Sequence, residues 1–202
     1  MAREEITADG RPPHAGPPIA HNAGMTGRLL LPLLAALLLP ACAGTPSPDD
    51  ADGATFILVR HGEKTSDTER DPDLSAAGIE RARQLAQRLA GDDITAIYTT
   101  DYRRTRQTVE PTASAHRIDA ETYDAKLPAD AFAARLKAAH PHGIVLVAGH
   151  SNTVPDIVAA LCQCETAPMP ETEYDRLSTV HVAADGSARL QVTRFGATAR
   201  AP

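Results

Sequence analysis

The sequence predicts an α/β domain: a three-layer sandwich whose mostly parallel central sheet is flanked by helices, with a C-terminal antiparallel hairpin. Three observations support this fold class. Short apolar runs rich in Val and Ile alternate with longer stretches in which apolar residues recur every three or four positions. These runs are apolar on both faces, as in buried parallel strands. Near the end of the chain, Asp185-Gly186 separates two β-rich segments, which is typical of a hairpin.

In the first half of the domain, strands are predicted over residues 55–59 and 94–99. The helix between them begins after Ser75, a residue type that favours the N-cap. Its buried face is formed by apolar residues at helical spacing, Ala82, Leu85, Ala86 and Leu89. Residues 103–115 have helical composition, but Pro111 is expected to kink this helix or to end its first segment.

The second half continues the alternation. A helix is predicted over residues 129–139 and a buried strand over 143–148. Thr153 and Pro155 are typical of the start of the next helix. The hairpin strands are predicted over residues 177–183 and 189–195.

The first 54 residues are predicted to lie outside the domain, which is expected to span residues 55–202. Residues 1–24 are rich in Pro and Gly and lack apolar periodicity, so we interpret them as a disordered or non-native extension that precedes a true start at Met25. Residues 25–41 have the pattern of an export signal, with a short basic region, an apolar stretch and small residues at its end. Residues 42–54 are expected to form a flexible tether.

The segment Leu39-Pro40-Ala41-Cys42 resembles the lipobox of bacterial lipoproteins, in which cleavage leaves the Cys as a lipidated N-terminus. We therefore expect an exported protein of the bacterial cell envelope or periplasm, anchored to a membrane by lipid at Cys42. The alternative is a signal peptide that is cleaved at a nearby Ala, with Cys42 as a bystander. In an oxidising compartment Cys162 and Cys164 are still expected to be ordinary thiols, because a pair so close would close a strained ring.

Composition excludes some classes of partner. The formal net charge of −6 argues against nucleic-acid binding through bulk charge, and the absence of Trp argues against an aromatic platform for bases. Basic residues are mostly Arg, the side chain best shaped to bind oxyanions. The pair His140 and His142 is interpreted as a solvated helix end and not as a metal site, since no carboxylate partner is apparent nearby.

Two predicted strands end in similar motifs, Arg60-His61-Gly62-Glu63 and Gly149-His150-Ser151-Asn152. Ligands of open α/β sheets bind at the carboxyl ends of strands. The strand between these two in the chain leads to a helix start that carries three arginines, Arg103, Arg104 and Arg106.

If these strands are neighbours, two His and at least two Arg share a pocket that suits a phosphate dianion. A His among cations loses its proton readily, and neutral imidazole is a nucleophile. Each motif alone is weak, since a His beside a strand is more often a structural or polar loop residue. The conjunction favours the catalytic interpretation.

The motifs resemble the successive signatures of the histidine phosphatase superfamily, the phosphoglycerate mutase-like or histidine acid phosphatase fold. They are RHGEK at 60–64, LSAAG at 74–78, TTDYRRTRQT at 99–108 and GHSN at 149–152, as in a compact member. The resemblance implies that His61 is the nucleophile and that Arg60, Arg104 and His150 form the phosphate pocket. Arg104 is chosen because the family pattern places its Arg three residues before the Gln of QT.

Further residues complete the predicted substrate-binding set. Gly62 belongs to the first motif, and Glu63 is expected to orient that loop, unless it is an exposed loop carboxylate. Ser151 and Asn152 are expected to help hold the GHS turn. The proton donor is predicted to be Asp124, with Asp130 as second choice, although either Asp could equally be a turn or helix-cap residue.

The resemblance implies a phosphatase that acts through a phosphohistidine on His61 without a metal or cofactor. Its expected substrate is a phosphorylated small molecule, or a phosphoprotein that carries phosphohistidine. Three alternatives stay open: a phosphomutase, a catalytically idle module that binds a phosphorylated ligand or a protein in the cell envelope, and a structural envelope lipoprotein.

Overall fold

The computed structural model describes residues 53–198. The predicted extension, the export signal, the lipidation site at Cys42 and most of the tether lie outside these residues and stay predictions. Ala54, which was predicted to end the tether, is instead the first residue of a strand. The strands are β1 (Ala54–Arg60), β2 (Ile94–Thr100), β3 (Glu121–Tyr123), β4 (Gly143–Gly149), β5 (Arg176–Val182) and β6 (Ala188–Arg194). The helices are α1 (Ala76–Arg88), α2 (Arg103–His116), α3 (Ala129–Ala139) and α4 (Val154–Cys162).

The strands form one sheet in the order β3-β2-β4-β1-β5-β6. The first four of these are parallel, while β5 runs antiparallel to both β1 and β6. The predicted α/β class and the C-terminal hairpin are therefore confirmed. The register pairs Arg60 with Gly149, so that β1 and β4 end side by side.

Side chains alternate across the sheet into two cores. Phe56 and Val145 face a core that includes buried residues of α3 and α4, while Ile57 and Leu146 face one that includes residues of α1 and α2. Because both faces of these strands are buried, apolar side chains occur on both faces, and the strands lack the alternation of polar and apolar residues. None of the helices within residues 53–198 is long and apolar enough to cross a membrane.

The structure differs from expectation at helix α2 and at strand β3, which follows it. Pro111 does not end α2, which runs on to His116. Buried residues on both sides of the proline, Val109 and Thr112, hold this helix against the sheet. The short edge strand β3 was missed, because two of its three residues are exposed and a strand of that length has no visible alternation.

The prediction of two free thiols is wrong, because Cys162 and Cys164 form a disulfide with Cα atoms 5.2 Å apart. Gln163, which caps α4, has a left-handed backbone with φ of 53°. This turn reverses the chain at the helix end and brings the two sulfurs together.

Candidate active site

The two histidines meet because β1 and β4 are adjacent. The backbone N–H of His61 donates to the Gly149 carbonyl at 2.9 Å, one residue before His150. The imidazole rings of His61 and His150 lie edge to face with centroids 5.3 Å apart. Both residues are buried, with 4% and 8% of their surface exposed. The strand-end motifs therefore form a single site.

A backbone carbonyl sets the tautomer of His61. Its Nδ1 lies 2.7 Å from the Gly62 carbonyl oxygen, which can only accept a hydrogen bond. Nδ1 therefore carries the proton, and Nε2 keeps its lone pair. The Gly62 N–H donates to Thr108 Oγ1 at 2.9 Å, and this hydroxyl donates to the Arg104 carbonyl at 2.7 Å. The loop that follows β1 and contains His61, the histidine loop, is thus connected by hydrogen bonds to α2, the helix that carries Arg104.

Both rings are neutral at physiological pH. Burial lowers the pKa of His61 to about 3, assisted by the charge of Arg60, and this outweighs the opposing effect of the Gly62 carbonyl. Burial likewise lowers the pKa of His150 to about 4, with the charges of Arg104 and Arg60 acting in the same direction. A neutral imidazole with a free Nε2 is the form that can attack phosphorus.

These shifts predict that acid destabilises the fold. Since the folded-state pKa of each histidine is below 6.5, the unfolded chain takes up protons first as pH falls. Between pH 7 and about pH 4.5, each histidine should remove about 2 kcal/mol from the free energy of unfolding. Urea denaturation at both pH values should show a loss about 2 kcal/mol smaller in His150→Asn than in the wild type. Equal losses in the two proteins would contradict the assignment of a neutral buried His150.

The histidines line a cavity of about 330 Å³ together with Arg60, Arg104, Ser151 and Asn152. Six of the predicted site residues are therefore brought together, although their chemical roles stay predictions. A larger groove of about 710 Å³ follows α2 and contains Arg103 and Arg106 but neither histidine. We take the smaller cavity as the candidate site, because it contains both histidines.

Among the three arginines of the helix start, only Arg104 lines this cavity. Its side chain is 14% exposed, and its Nε and Nη1 atoms make no hydrogen bond within the described part of the chain, although Nη1 lies 3.8 Å from Asp71 Oδ1. Arg103 and Arg106 are more exposed and are paired with Asp73 and Asp101. The guanidinium of Arg104 is thus the one positioned to bind an anion in the cavity.

Two tyrosines that sequence reasoning missed hold the cations in place. The guanidinium of Arg104 lies 4.4 Å from the ring centroid of Tyr102, and that of Arg60 lies 4.1 Å from the ring of Tyr174. Tyr102 also packs edge-on against His150, whose Nε2 lies 3.0 Å from Thr100 Oγ1. Tyr102 directly precedes the arginine cluster in sequence, whereas nothing in the sequence singles out Tyr174.

Gly62 and Glu63, which were predicted to bind substrate, do not line the cavity. The Gly62 N–H is already used by Thr108, and the Glu63 carboxylate accepts hydrogen bonds from Arg81 at 2.6 to 3.1 Å. Burial opposes ionisation of Glu63, but the hydrogen bonds from Arg81 bring its pKa below the usual value. The paired and partly buried Glu63 is thus not an exposed loop carboxylate, and its expected role in orienting the loop stays a prediction.

Arg81 is a buried cation that the sequence could have revealed. It lies three residues after Gly78 and four before Leu85 on the buried face of α1, where a charge is unusual. Besides binding Glu63, Arg81 donates to the carbonyls of Phe195 and Ala197. It thereby joins the histidine loop to the segment after β6.

The LSAAG motif packs against the histidine loop through Gly78. A Cβ atom at Gly78 would lie 2.2 Å from the Glu63 carbonyl oxygen and 2.9 Å from its nitrogen. Gly78→Ala is therefore expected to lower the free energy of unfolding by about 3 kcal/mol, although Ala is the better helix former. The matched control is Gly91→Ala, whose Cβ would meet nothing within 4 Å. Chemical denaturation of both variants tests this packing, and equal stability of the two would contradict it.

The structure does not place either predicted proton donor in the cavity. Asp124 is exposed and accepts a hydrogen bond from the Lys126 N–H at 2.9 Å, which makes it a turn residue. It lines a neighbouring cavity of about 540 Å³ that contains neither histidine. Asp130 accepts from the Ala131 N–H in the first turn of α3. Both carboxylates have the local role that was their alternative interpretation.

Glu171 is instead the carboxylate that lines the histidine cavity. It lies in the loop between α4 and β5, where the sequence gives no signal of a site residue.

His140 caps α3 and contacts the Tyr98 hydroxyl at 2.8 Å. Among residues 53–198, no group of three or more His, Cys, Asp or Glu side chains is arranged to hold a metal ion.

Comparison with solved structures identifies the class of fold. The chain is similar to the protein histidine phosphatase SixA complexed with tungstate, with a TM-score of 0.59 and 22% identity over 69% of this chain and 96% of that one. It is also similar to a mycobacterial glucosyl-3-phosphoglycerate phosphatase, with a TM-score of 0.56 and 16% identity over 70% and 99% of the two chains. At these identities the likeness shows a shared α/β fold.

Sequence comparison matches part of the chain to a family model. Residues 56–127 match the model of the histidine phosphatase superfamily, branch 1. A probable phosphoglycerate mutase, GpmB of Proteus mirabilis (strain HI4320), is 41% identical over 71 residues, which are 32% of this chain and 33% of that protein. The chain thus covers only about a third of that relative's length. Residues 56–127 thus match the superfamily whose signatures the sequence motifs resemble.

Proposed function

We propose that the protein hydrolyses a phosphorylated substrate through a covalent phosphohistidine on His61, without a metal ion. The observation that carries the proposal is the state of His61. Its ring is neutral, and the Gly62 carbonyl occupies Nδ1, so that Nε2 is the available nucleophile in a cavity shared with His150 and Arg104. A module that only binds phosphate needs no such nucleophile.

The first step transfers the phosphoryl group to the enzyme. Nε2 of His61 forms a bond to phosphorus, and the P–O or P–N bond to the leaving group breaks, with its electron pair leaving on oxygen or nitrogen. The guanidinium groups of Arg104 and Arg60 stabilise the charge on the phosphoryl oxygens. In the second step water attacks phosphorus and the P–Nε2 bond breaks, with its electron pair returning to Nε2. Neutral His61 is restored, inorganic phosphate is released, and the proton lost by water passes to solvent.

The leaving group distinguishes possible substrates. Among the cavity-lining residues only Glu171 has a carboxyl group, and the hydrogen bond from Ser151 together with the charge of Arg60 lowers its pKa despite partial burial. An ionised carboxylate is a poor proton donor at neutral pH. We therefore favour substrates whose leaving group needs little protonation, such as phosphohistidine in a protein or an aryl phosphate, over simple alkyl phosphates.

A phosphomutase is the second candidate, because a stretch of 71 residues is 41% identical to part of a probable phosphoglycerate mutase. In that reaction an alcohol takes the place of water in the second step.

The proposed setting is the bacterial cell envelope or periplasm, with a lipid anchor at Cys42. An exported setting favours hydrolysis.

The test is to trap the intermediate. The protein is mixed with a ³²P-labelled aryl phosphate in the presence of EDTA and quenched in alkali, in which phosphohistidine is stable and phosphoserine is not. We expect a labelled protein that loses its label in acid, and no label in His61→Ala. Label that persists in His61→Ala, or that requires a divalent metal, would contradict the proposal. Release of phosphate to water, and not to an added alcohol, separates the phosphatase from the mutase.

A further inference from the structure

The side chain of Glu171 lies against the donors that a phosphoryl group would use. Its Oε2 is 2.6 Å from Arg60 Nη2, and its Oε1 accepts a hydrogen bond from the Ser151 hydroxyl. Arg60 and Ser151 line the candidate cavity with the two histidines. Neither the sequence motifs nor the proposed mechanism assigns a role to this carboxylate.

We propose that the Glu171 carboxylate competes with phosphate for Arg60 and Ser151, and thereby sets the affinity of the pocket for phosphate. The inference rests on the proposed function, since it takes phosphate to be the ligand of this cavity. A carboxylate presents two oxygens to a guanidinium as phosphate does, so the two groups are alternatives for the same donors. Two anions cannot share them without repulsion.

The Glu171 side chain can move away from Arg60. Although Arg60 is 2% exposed, the Glu171 side chain is 74% exposed, so it can rotate into solvent when an anion binds. An ion pair with so exposed a partner contributes little stability, and phosphate, with its greater charge, can displace the carboxylate. The cost of displacement then appears as weaker binding of phosphate.

Arg60 does not depend on the carboxylate for its position. Its Nη1 donates to the backbone carbonyls of Pro170, Glu171 and Glu173 at 3.2, 2.6 and 3.2 Å, and its guanidinium stacks on Tyr174. All these contacts survive a change of the Glu171 side chain. Arg60 Nε is also buried and has no hydrogen-bond partner among the described residues, so it is a further donor for an anion.

The proposed competition has a consequence for turnover. Inorganic phosphate is the product of the proposed reaction, and the cations that stabilise the transferring group would also retain that product. A carboxylate that returns to Arg60 and Ser151 speeds product release. Removing it should therefore increase inhibition by phosphate, an effect that a merely structural role would not produce.

The test measures phosphate binding by titration calorimetry in the wild type, Glu171→Gln and Glu171→Ala. We expect both variants to bind phosphate about threefold to tenfold more tightly, with the inhibition constant for phosphate lowered by the same factor. The Ala variant is needed because the Gln amide could itself donate to phosphate. The matched control is Glu165→Gln, which removes an exposed carboxylate from the same loop but does not line the cavity. Its affinity should stay within about twofold of the wild type.

Unchanged or weaker binding in Glu171→Ala would overturn the inference, and weaker binding would show that the carboxylate serves to hold Arg60. Absence of measurable binding in all three proteins would overturn it as well. These outcomes are separable from failure of the proposed function. A trapped phosphoenzyme with unchanged phosphate affinity in the variants defeats only the inference, whereas tighter binding without any phosphoenzyme defeats only the covalent mechanism.

Discussion

Replacement of His61 by Asn is expected to lower kcat/KM toward p-nitrophenyl phosphate by about 10⁴-fold, because the variant lacks the nucleophile of the first step. Asn can still fill part of the space beside the Gly62 carbonyl. The cations Arg60 and Arg104 stay in place, since their contacts with Tyr174 and Tyr102 do not involve His61. Steady-state kinetics with the purified protein measure the loss, and phosphate binding should be retained within about tenfold.

The matched control is His142→Asn, which alters an exposed histidine that does not line the cavity. It should leave kcat/KM unchanged within experimental error. Activity of His61→Asn above about one hundredth of the wild type would contradict nucleophilic catalysis by this residue. Loss of phosphate binding along with activity would instead indicate that the variant disrupts the whole site.

Replacement of Arg104 by Met is expected to lower kcat/KM by about 10²-fold to 10³-fold. Arg104 lines the cavity, its Nε and Nη1 make no hydrogen bond within residues 53–198, and its ion pair with Asp71 is long at 3.8 Å, so its guanidinium can bind an anion. The effect should be larger on kcat than on the affinity for phosphate, because charge on the phosphoryl oxygens is stabilised most in the transition state.

Arg103→Met is the control for this prediction, since it removes the neighbouring cation, which is 53% exposed and paired with Asp73 outside the cavity. A change of less than about threefold is expected. Equal losses in the two variants would mean that the helix start acts through its overall positive charge, and the assignment of Arg104 as the phosphate ligand would be wrong.

The sequence predicted those parts of the site that depend on local pattern. Apolar runs followed directly by His61 and by His150 mark the ends of two buried strands, and parallel pairing of β1 with β4 brings the two rings together. The pattern of residues alone could not choose among the three arginines, because all lie within one turn of the helix start. The resemblance to the family selected Arg104, and the structure explains the choice by its burial beside Tyr102.

The remainder of the site depends on contacts between distant parts of the chain. Glu171 and Tyr174 reach Arg60 from a loop more than 100 residues away, and no periodic pattern shows where a loop will fold. Asp124 was misplaced for a related reason. It was chosen for its place in the chain between the arginine helix and the GHS strand, but its side chain accepts a hydrogen bond from the nearby Lys126 N–H and belongs to a local turn.

The most direct test of the account is to identify the nitrogen that carries phosphate in the trapped intermediate. Because Nδ1 of His61 donates to the Gly62 carbonyl, the phosphoryl group should be on Nε2. Phosphorus–proton correlation NMR of the denatured phosphoenzyme distinguishes the two nitrogens, and mass spectrometry of its peptides locates the residue. We expect Nε2-phosphohistidine at residue 61. Phosphate on Nδ1, or on any other residue, would contradict the account.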